Sequence, residues 1–480
     1  MKFKRIGAWL IFLCLIVANF AAIVSADNVA HVRGDANGDG AVDGRDLVAI
    51  RKYFAFFDYA EGEPTYQISD RADMDGDGKI GLTDICLLRK FVSDKSAGTA
   101  LSAQMSGERP VIFETDEMLA ESKAMADKRV EPWLTSWQNV LKKANQSLEV
   151  DPTPYLGESA TEYRLAACND FINARSLALA YYNTRDKKYL DRAVEYFMAY
   201  ADPDVMAGTD KHLDYSAATT DGKADIGLNI AVPLTTACDV YSLLYPYISA
   251  SDKAIIENWI RVEVEIVKKG HNYWIQNNYY GEQVGNNHVT SHLMGLICAA
   301  YVLEDDALLD YAVCSAQNES NYLDMFDRAI LMEGDTTYSA DPSKTFVEGE
   351  VYDRYRVVDK TPNGFGYAMY HLKFLTYSAL VMNHNGINFF DYVGNNGETL
   401  LLPYKTYAKY LIANDASLDG GYYAGNSLNR ESSYTLYLII DYMYDDKAVS
   451  SVIDALEKDG VVPGDMEQFG RSGGYIFGIE

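Results

Sequence analysis

The 480-residue sequence predicts a mainly α-helical protein whose larger, C-terminal part is an α/α toroid, an incomplete barrel of helical hairpins. First, apolar residues recur at helical spacing from about Val111 onward, and "ATEYRLAACNDFINARSLALAYYNT" with "DKKYLDRAVEYFMAYA" forms one antiparallel pair. Second, the phrases "ALAYYNTRDKKYLDRAVEY" and "CAAYVLEDDALLDYAVC" resemble each other, so hairpins repeat along the chain. Repeated hairpins joined by tight polar turns favour a ring with a cleft at one end.

A second helical pair is predicted from "NNHVTSHLMGLICAAYVLE" and "DDALLDYAVCSAQNESNYLDMFDRAI". Near the end of the chain, "GGYIFGIE" has the composition of a strand but no partner that the sequence identifies. The toroid is expected to occupy residues 111–480.

The first residues predict export. Basic Lys2, Lys4 and Arg5 precede an apolar run that ends in the small residues of Val24-Ser25-Ala26, so residues 1–26 are interpreted as a signal peptide and the protein as secreted and extracellular. No later stretch has about 18 uninterrupted apolar residues, so we expect no transmembrane helix and no membrane partner.

The formal net charge is -27, which argues against a nucleic acid partner and would repel a polyanion at long range. Any acidic ligand must therefore meet a locally basic site. The cysteines that follow the signal peptide are widely and irregularly spaced among apolar residues, which favours buried thiols over a disulfide framework.

A motif near the N-terminus occurs twice. "DANGDGAVDGRDLVAIRKYF" begins at Asp35, and "DMDGDGKIGLTDICLLRKFV" begins 38 residues later at Asp73. Both copies place oxygen-bearing side chains around a turn glycine, as a Ca²⁺ loop requires. The candidate calcium ligands are Asp35, Asn37, Asp39, Asp43 and Asp46 in the first loop and Asp73, Asp75, Asp77 and Asp84 in the second. We expect two structural Ca²⁺ ions on which folding of this module depends.

The duplicated motif resembles the type I dockerin family. Loop position 12 is Asp in both copies, where an EF-hand usually has Glu, and one helix follows each loop while none precedes it. The resemblance implies a small all-α dockerin at residues 31–94, which binds a cohesin domain of a scaffoldin and attaches the protein to a cellulosome. The small, polar residues 95–110 are expected to be a linker.

The segment "VGNNHVTSH" places His288 and His292 four residues apart on a predicted helix, where they could bind a metal on one face. A zinc site of that kind also needs a third ligand and a catalytic carboxylate, so we favour a core role for His292. Asn286 is expected to cap the helix. Asn287 and His288 then stand at a helix start, where anions bind well.

A second cluster is "EGEVYDRYRVVDKTPNGFGYAMYHLKFLTY". Charged residues precede a glycine-rich turn, after which Tyr367, Tyr370 and His371 lie on a helix whose other face is apolar. Alone, such tyrosines usually pack in the core, and such arginines are usually solvated or paired with acids.

Together, the two segments resemble the alginate lyase family of polysaccharide lyases, which are α/α toroids, over roughly residues 110–400. The resemblance implies cleavage of a polyuronate, alginate or a glucuronan-like chain, by β-elimination. The site must neutralise the sugar carboxylate, remove the C5 proton and protonate the leaving O4. The resemblance assigns Asn287 to the carboxylate, His288 to neutralisation or proton abstraction, and Tyr367, with Tyr370 as a rival, to the leaving oxygen. No cofactor is expected for catalysis.

The catalytic arginine departs from the family pattern. An arginine usually lies six or seven residues before the tyrosine, where this chain has Lys360, and Arg356 lies eleven residues upstream. Either the turn is longer and Arg356 reaches the site, or Lys360 substitutes as a point charge without a bidentate grip. A phenol, whose pKa is normally about 10, serves as a base only where cations lower that pKa. The further candidate substrate-binding residues are Trp274, Tyr280, Lys360, Tyr370 and His371.

Two other functions are compatible with the sequence alone. A glycoside hydrolase on the same ring would use two carboxylates, for which the candidates are Glu348, Glu350, Asp353 and Asp225. A non-catalytic carbohydrate-binding subunit would use the same asparagines and tyrosines only to cap and pack helices.

Overall fold

The structure is a computed structural model, and it divides the chain into two units, Met1–Ala100 and Leu101–Glu480. In the first unit it describes residues 36–37, 45–46, 49–50, 57–58, 63–64, 72 and 88. In the second it describes residues 103–105, 107–157, 159–206, 220–276, 285–315, 317–338, 341, 343–358, 360–465 and 467–477, with backbone alone at 220–224.

The first unit contains one antiparallel pair of two-residue strands between the two copies of the motif, β1 (Phe57–Asp58) and β2 (Glu63–Pro64). The Asn37 N–H donates to Asp46 Oδ1 at 3.0 Å, and Asp46 is fully buried, so positions 3 and 12 of the first loop are in contact. The other predicted calcium ligands lie outside the described residues: Asp35, Asp39, Asp43, Asp73, Asp75, Asp77 and Asp84.

The second unit is helical apart from one small hairpin. Its described helices are α1 (Asp116–Asp127), α2 (Trp133–Ser147), α3 (Ala160–Thr184), α4 (Lys187–Tyr200), α5 (Thr220–Leu244), α6 (Ala250–Gln276), α7 (Asn287–Leu303), α8 (Asp306–Val313), α9 (Tyr322–Ala329), α10 (Gly364–His384), α11 (Leu401–Ala413), α12 (Arg430–Tyr444), α13 (Lys447–Lys458) and α14 (Gly473–Ile476). Short 3₁₀ turns lie at Tyr245–Tyr247 and Tyr352–Tyr355, and the hairpin pairs β3 (Val357–Val358) with β4 (Thr361–Pro362).

The helices form two layers. Helices α3, α5, α7 and α10 pack side by side in that order, while α4, α6 and α8 pack against the helix that precedes each of them. Because each inner helix is followed by a return helix, the inner helices run in the same direction and begin at the same end of the ring. This arrangement confirms the α/α toroid predicted from the helical spacing.

Sequence explains which helices lie inside. On α4 the buried residues include Leu190, Phe197 and Tyr200 along one face, the pattern of a helix that covers a core. Helix α7 is buried around its whole circumference, from Asn287 to Val302, and after His292 its side chains are almost all apolar. Capping side chains also set where helices begin: the Ser159 hydroxyl accepts from the Glu162 N–H at the start of α3.

The first predicted helical pair is confirmed as α3 and α4, but the second was wrong in its later half. Residues 305–330 form two short helices, α8 and α9, instead of one. The chain leaves α8 at Cys314, and the Asn321 side chain accepts from the Asp324 N–H to begin α9 in a new direction. Within the strand-like segment "GGYIFGIE", Gly473–Ile476 form the helix α14, and residues 478–480 lie outside the described residues.

Among the described residues one segment, Asp225–Tyr247, is long and apolar enough to cross a membrane. Its apolar stretch is buried between other helices, as expected of the core helix of a ring, whereas Asp225 and the turn Tyr245–Tyr247 are partly exposed. Cys168, Cys238 and Cys298 are buried free thiols and Cys314 is a partly buried one, in agreement with the interpretation of scattered cysteines.

Candidate active site

A cleft of about 450 Å³ lies where the inner helices begin. It is lined by Thr161 and Arg164 from α3, Asp225, Leu228 and Asn229 from α5, Asn287 and His288 from α7, and Gly366, Tyr367 and Tyr370 from α10. Loops between elements add Arg356, Asn363, Asn429 and Glu467. Residues from the first three turns of parallel helices therefore face one space. Asn287 and His288 are the first residues of α7, so the positive end of that helix dipole favours a negatively charged ligand there.

Asn287 and His288 are placed by the start of α7. The Asn286 side chain accepts from the His288 N–H at 3.0 Å, which confirms its predicted capping role. The next N–H, that of Asn287, donates to Asp353 Oδ2 at 2.8 Å. Because both backbone donors are satisfied, the side chains of Asn287 and His288 are held at the wall of the cleft.

His288 stacks on Trp274, with ring centroids 4.1 Å apart and an interplanar angle of 14°. Its Nε2 lies 3.7 Å from Asp225 Oδ1. Burial, followed by the charge of Arg356, lowers the pKa of His288 to about 3, so the ring is neutral near pH 7. Trp274 is only 1% exposed, so it supports His288 from behind and offers no face to a sugar.

Arg356 and Tyr367 lie together in the cleft. The Arg356 guanidinium carbon is 4.4 Å from the centroid of the Tyr367 ring. Burial opposes the charge of Arg356, but Asp353, Tyr355 and Tyr367 raise its pKa above its usual range, so it remains a cation.

The β3–β4 hairpin explains the long spacing between Arg356 and Tyr367. The Asn363 N–H donates to the Arg356 carbonyl oxygen at 3.0 Å, so the hairpin begins and ends beside Arg356. The extra residues between Arg356 and Tyr367 are therefore accommodated in the hairpin. Lys360 lies in the hairpin turn with a φ of 66°, is exposed, and does not line the cleft. Of the two alternatives, the longer turn is the one observed.

Asp353 is a buried carboxylate behind the cleft that connects three segments. Besides accepting from the Asn287 N–H, its Oδ2 lies 2.8 Å from His371 Nδ1, and its Oδ1 lies 3.9 Å from Arg356 Nη1. His371 is completely buried, so it contacts Asp353 and not the cleft. His371 was predicted to contact the substrate; in the structure it instead contacts the buried Asp353 behind the cleft.

Tyr370 lines the cleft but is already engaged. Its hydroxyl donates to Glu467 Oε1 at 3.2 Å, and Glu467 also pairs with Lys373. Burial, followed by the Glu467 charge, raises the pKa of Tyr370 well above its usual value. Such a phenol gives up its proton reluctantly, which favours Tyr367 over its rival for proton transfer.

Sequence reasoning missed several cleft residues. Arg164 and Asn229 come from α3 and α5, and Asn229 had a readable signal, a lone amide within the apolar run "DIGLNIAVPL". Asn363 and Asn429 meet over Gly366, where a Cβ would lie 2.6 Å from Asn363 Oδ1 and 2.9 Å from Asn429 Nδ2. Gly366 is therefore required for both amides to reach the cleft.

Carboxylates for a hydrolase are poorly placed. Glu348 is exposed outside the cleft, Glu350 pairs with Arg354, and Asp353 lies behind the wall, so of the four candidates only Asp225 lines the cleft. The metal site considered for His288 and His292 has no further ligands in the described part of the chain. No group of three or more acidic, histidine or cysteine side chains is arranged there to hold a metal. Tyr280 lies outside the described residues.

Comparison with known proteins agrees with the helical fold. The chain is similar to the crystal structure of an alginate lyase from Bacteroides ovatus, with 14% identity over 78% of this chain and 100% of that one and a TM-score of 0.53. It is also similar to alginate lyase A1-III from Sphingomonas species A1, with 12% identity, the same coverage and a TM-score of 0.52. At these identities the likeness concerns the fold. No curated protein matches the chain.

Family models are more informative. The dockerin type I domain model matches residues 33–93, which confirms the duplicated module as a dockerin. The alginate lyase model matches residues 151–417, more than half of the 480 residues. The chain therefore belongs to the alginate lyase family and is a polysaccharide lyase with a type I dockerin.

Proposed function

We propose that the protein is a secreted lyase that cleaves a polyuronate, alginate or a glucuronan-like chain, by β-elimination in the cleft of the toroid. The observation that carries the proposal is that Arg356 and Tyr367 lie against each other in the same cleft as Asn287 and His288. These groups are a cation, a phenol, an amide and a neutral imidazole, which are the groups that the reaction requires.

Recognition of the sugar carboxylate is assigned to Arg356 and Asn287. The C5 proton is acidic enough to remove only when the charge of the adjacent carboxylate is neutralised, and that charge grows in the transition state. Arg356 supplies a permanent charge with a planar pair of donors, and Asn287 is fixed at a helix start that itself favours an anion.

Proton transfer is divided between His288 and Tyr367. Because burial keeps the imidazole neutral, His288 does not neutralise the carboxylate by charge and is assigned to accept the C5 proton. Its lowered pKa makes it a weak base in the empty cleft, and the negative charge of a bound uronate would raise that pKa. The electrons of the C5–H bond form the C4–C5 double bond as the C4–O4 bond breaks. Tyr367, beside Arg356, donates its proton to the departing O4.

Acidic groups in the cleft do not prevent a polyanion from binding. Glu467 is paired with Lys373, and Arg164 Nε lies 3.8 Å from Glu467 Oε1. Burial raises the pKa of Asp225, although Arg356 and Arg164 oppose that shift. The negative charge of Glu467 and Asp225 is therefore partly offset, and the positive helix ends and the two arginines can attract a substrate carboxylate.

The dockerin is proposed to attach the enzyme to a scaffoldin through a cohesin domain, with residues 31–94 as the dockerin, 95–110 as the linker and 111–480 as the lyase domain. Its oxygen donors fit Ca²⁺, and the hydrogen bond from the Asn37 N–H to the buried Asp46, two of the predicted donor positions, supports this assignment. Calcium bound there would hold the loops folded. Residues 1–26 are proposed to direct secretion.

The test is an activity screen with the full chain on alginate, glucuronan, pectate and glycosaminoglycans. Beta-elimination creates an unsaturated uronate that absorbs ultraviolet light, so we expect absorbance to rise together with new reducing ends on alginate or glucuronan. New reducing ends without absorbance would indicate hydrolysis, and no change on either polyuronate would contradict the proposed substrate class.

A further inference from the structure

A second cavity lies away from the cleft. It has a volume of about 340 Å³ and is bounded by α2, by α3 and by the segment Phe469–Ser472. Of the described residues that line it, the charged ones are Lys142, Lys143 and Arg471, and none is a carboxylate. In a chain with 69 acidic and 42 basic residues, a cavity whose charged groups are all cations is unexpected.

These cations are available to a ligand. Lys142 and Lys143 are exposed and have no ion-pair partner within the described part of the chain. Arg471 has one ion pair, at 3.8 Å to Glu431, in which both side chains are more than half exposed. Ion pairs of that kind contribute little, so Arg471 can turn to an anion in the cavity.

The remaining lining is suited to a sugar. The half-buried Ile172 is the apolar side chain that faces the cavity, with the buried Phe469 at its base, and the amides of Asn139, Gln146 and Asn169 stand around them. A pyranose ring has an apolar face, hydroxyl groups that bond to amides, and, in a uronate, a carboxylate that pairs with lysine or arginine. A simple inorganic anion would use the cations alone.

We propose that this cavity is a second saccharide-binding site, which holds an acidic oligosaccharide through a uronate carboxylate. It goes beyond the proposed function, because it rests on residues outside the cleft and needs no turnover.

The cavity and the cleft share two structural elements. Arg164 in the cleft and Asn169 in the cavity are five residues apart on α3, which is about 8 Å along a helix axis. Glu467 and Phe469 are likewise near neighbours in the C-terminal segment. A polymer held at the cavity would therefore raise the local concentration of sugar chain near the cleft.

The first experiment maps the site on the full chain carrying Tyr367→Phe, so that the ligand is not consumed. Lysine acetylation is followed by mass spectrometry with tetrasaccharides of mannuronate or glucuronate, with neutral cellotetraose, and with sodium sulfate at matched ionic strength. We expect the uronate tetrasaccharides to slow acetylation of Lys142 and Lys143 several-fold. The exposed neighbours Lys187 and Lys188 are the internal control and should not change.

Three outcomes would overturn the proposal. No protection by either uronate would show that the cavity does not bind such sugars. Equal protection by sulfate would show a site for any anion, and equal protection by cellotetraose would show that the carboxylate is not recognised.

The second experiment measures affinity by titration calorimetry. We expect Lys142→Gln with Lys143→Gln to weaken binding at this site about fivefold, as loss of two exposed charge pairs predicts. The matched pair Lys187→Gln with Lys188→Gln should bind as the parent does, and thermal unfolding checks that both variants fold. An equal loss in both pairs would show only a general effect of net charge. Protection of Lys142 and Lys143 by the uronates, together with no cleavage of either polyuronate, would support this site while contradicting the proposed function.

Discussion

The backbone N–H of Asn287 donates to the buried Asp353 Oδ2 at 2.8 Å, and this bond fixes the start of α7 to the segment that carries Arg356. The same oxygen lies 2.8 Å from His371 Nδ1 on α10, the helix of Tyr367. The proposed catalytic residues thus come from three segments that meet at one carboxylate. Their geometry depends on a residue that does not line the cleft.

Asp353→Ala should impair both folding and turnover. Without the carboxylate the Asn287 N–H and the His371 ring lose a buried partner, and we expect the free energy of unfolding to fall by about 3 kcal/mol. Asp353→Asn keeps an acceptor and should lose less stability, but kcat should still fall by about tenfold or more because Arg356 is no longer held by charge. Urea unfolding and initial rates measure the two effects.

The matched control is Asp170→Asn, which changes a buried carboxylate that accepts from Tyr200 and Thr153 outside the cleft. It should lower stability with kcat preserved. If Asp353→Asn retained full kcat, the proposed positioning role would be incorrect.

Tyr367→Phe should reduce kcat by about 10²–10⁴-fold with little change in the unfolding midpoint, because only the proton-donating hydroxyl is lost. Tyr370→Phe removes a hydroxyl that is bonded to Glu467, and should retain most of the activity. Initial rates on the polyuronate that the screen identifies make the comparison. The opposite ranking of the two variants would assign proton transfer to Tyr370.

Local sequence signals were sufficient for the helices and for the start of α7. The Asn286 cap, the polar pair Asn287-His288 and the apolar remainder of α7 are all encoded within one segment, where residue type and helical spacing determine the outcome. The toroid followed from repetition of such segments.

Contacts between distant segments could not be predicted. Trp274 stands just upstream of α7 and suggested a sugar platform, but tertiary packing placed it under His288. Arg164 reaches the cleft from α3, more than one hundred residues before Asn287, and carries no local sign of that position. The β3–β4 hairpin determines whether Arg356 or Lys360 enters the cleft. Its formation depends on pairing between two strands, which the spacing of the residues alone does not reveal.

Arg356→Lys should lower kcat/KM by about tenfold or more even though the charge is kept. A lysine is a point charge and cannot supply the planar pair of donors that grips a carboxylate. Lys360→Gln removes a cation that is only four residues away in sequence but is exposed on the hairpin, outside the cleft. This change should alter kcat/KM less than twofold. A larger loss for Lys360→Gln than for Arg356→Lys would mean that the hairpin closes over the substrate.

Stability should fall in acid because His288 is buried as a neutral ring. Its pKa is about 3 in the folded protein, against about 6.5 in an unfolded chain, so between these values the unfolded state binds a proton that the folded state does not. The contribution of the neutral ring is therefore fully present above about pH 6.5 and is lost progressively as the pH falls toward 3. The charges around the ring act in opposite directions: Arg356 and Arg164 lower the pKa of His288, and Asp353 raises it.

The comparison of the parent with His288→Asn isolates this effect from the carboxylates, which titrate in both proteins. Between neutral pH and about pH 4.5, we expect the parent to lose about 2 kcal/mol more unfolding free energy than the variant, measured by urea unfolding. His384→Asn is the matched control: burial also lowers the pKa of His384, to about 4, but this residue lies outside the cleft. It should show a similar stability difference with kcat preserved, whereas His288→Asn should lose turnover at every pH. An equal loss of unfolding free energy in the parent and in His288→Asn would mean that the pKa of His288 is not lowered in the folded protein, and burial would then not be what keeps the ring neutral.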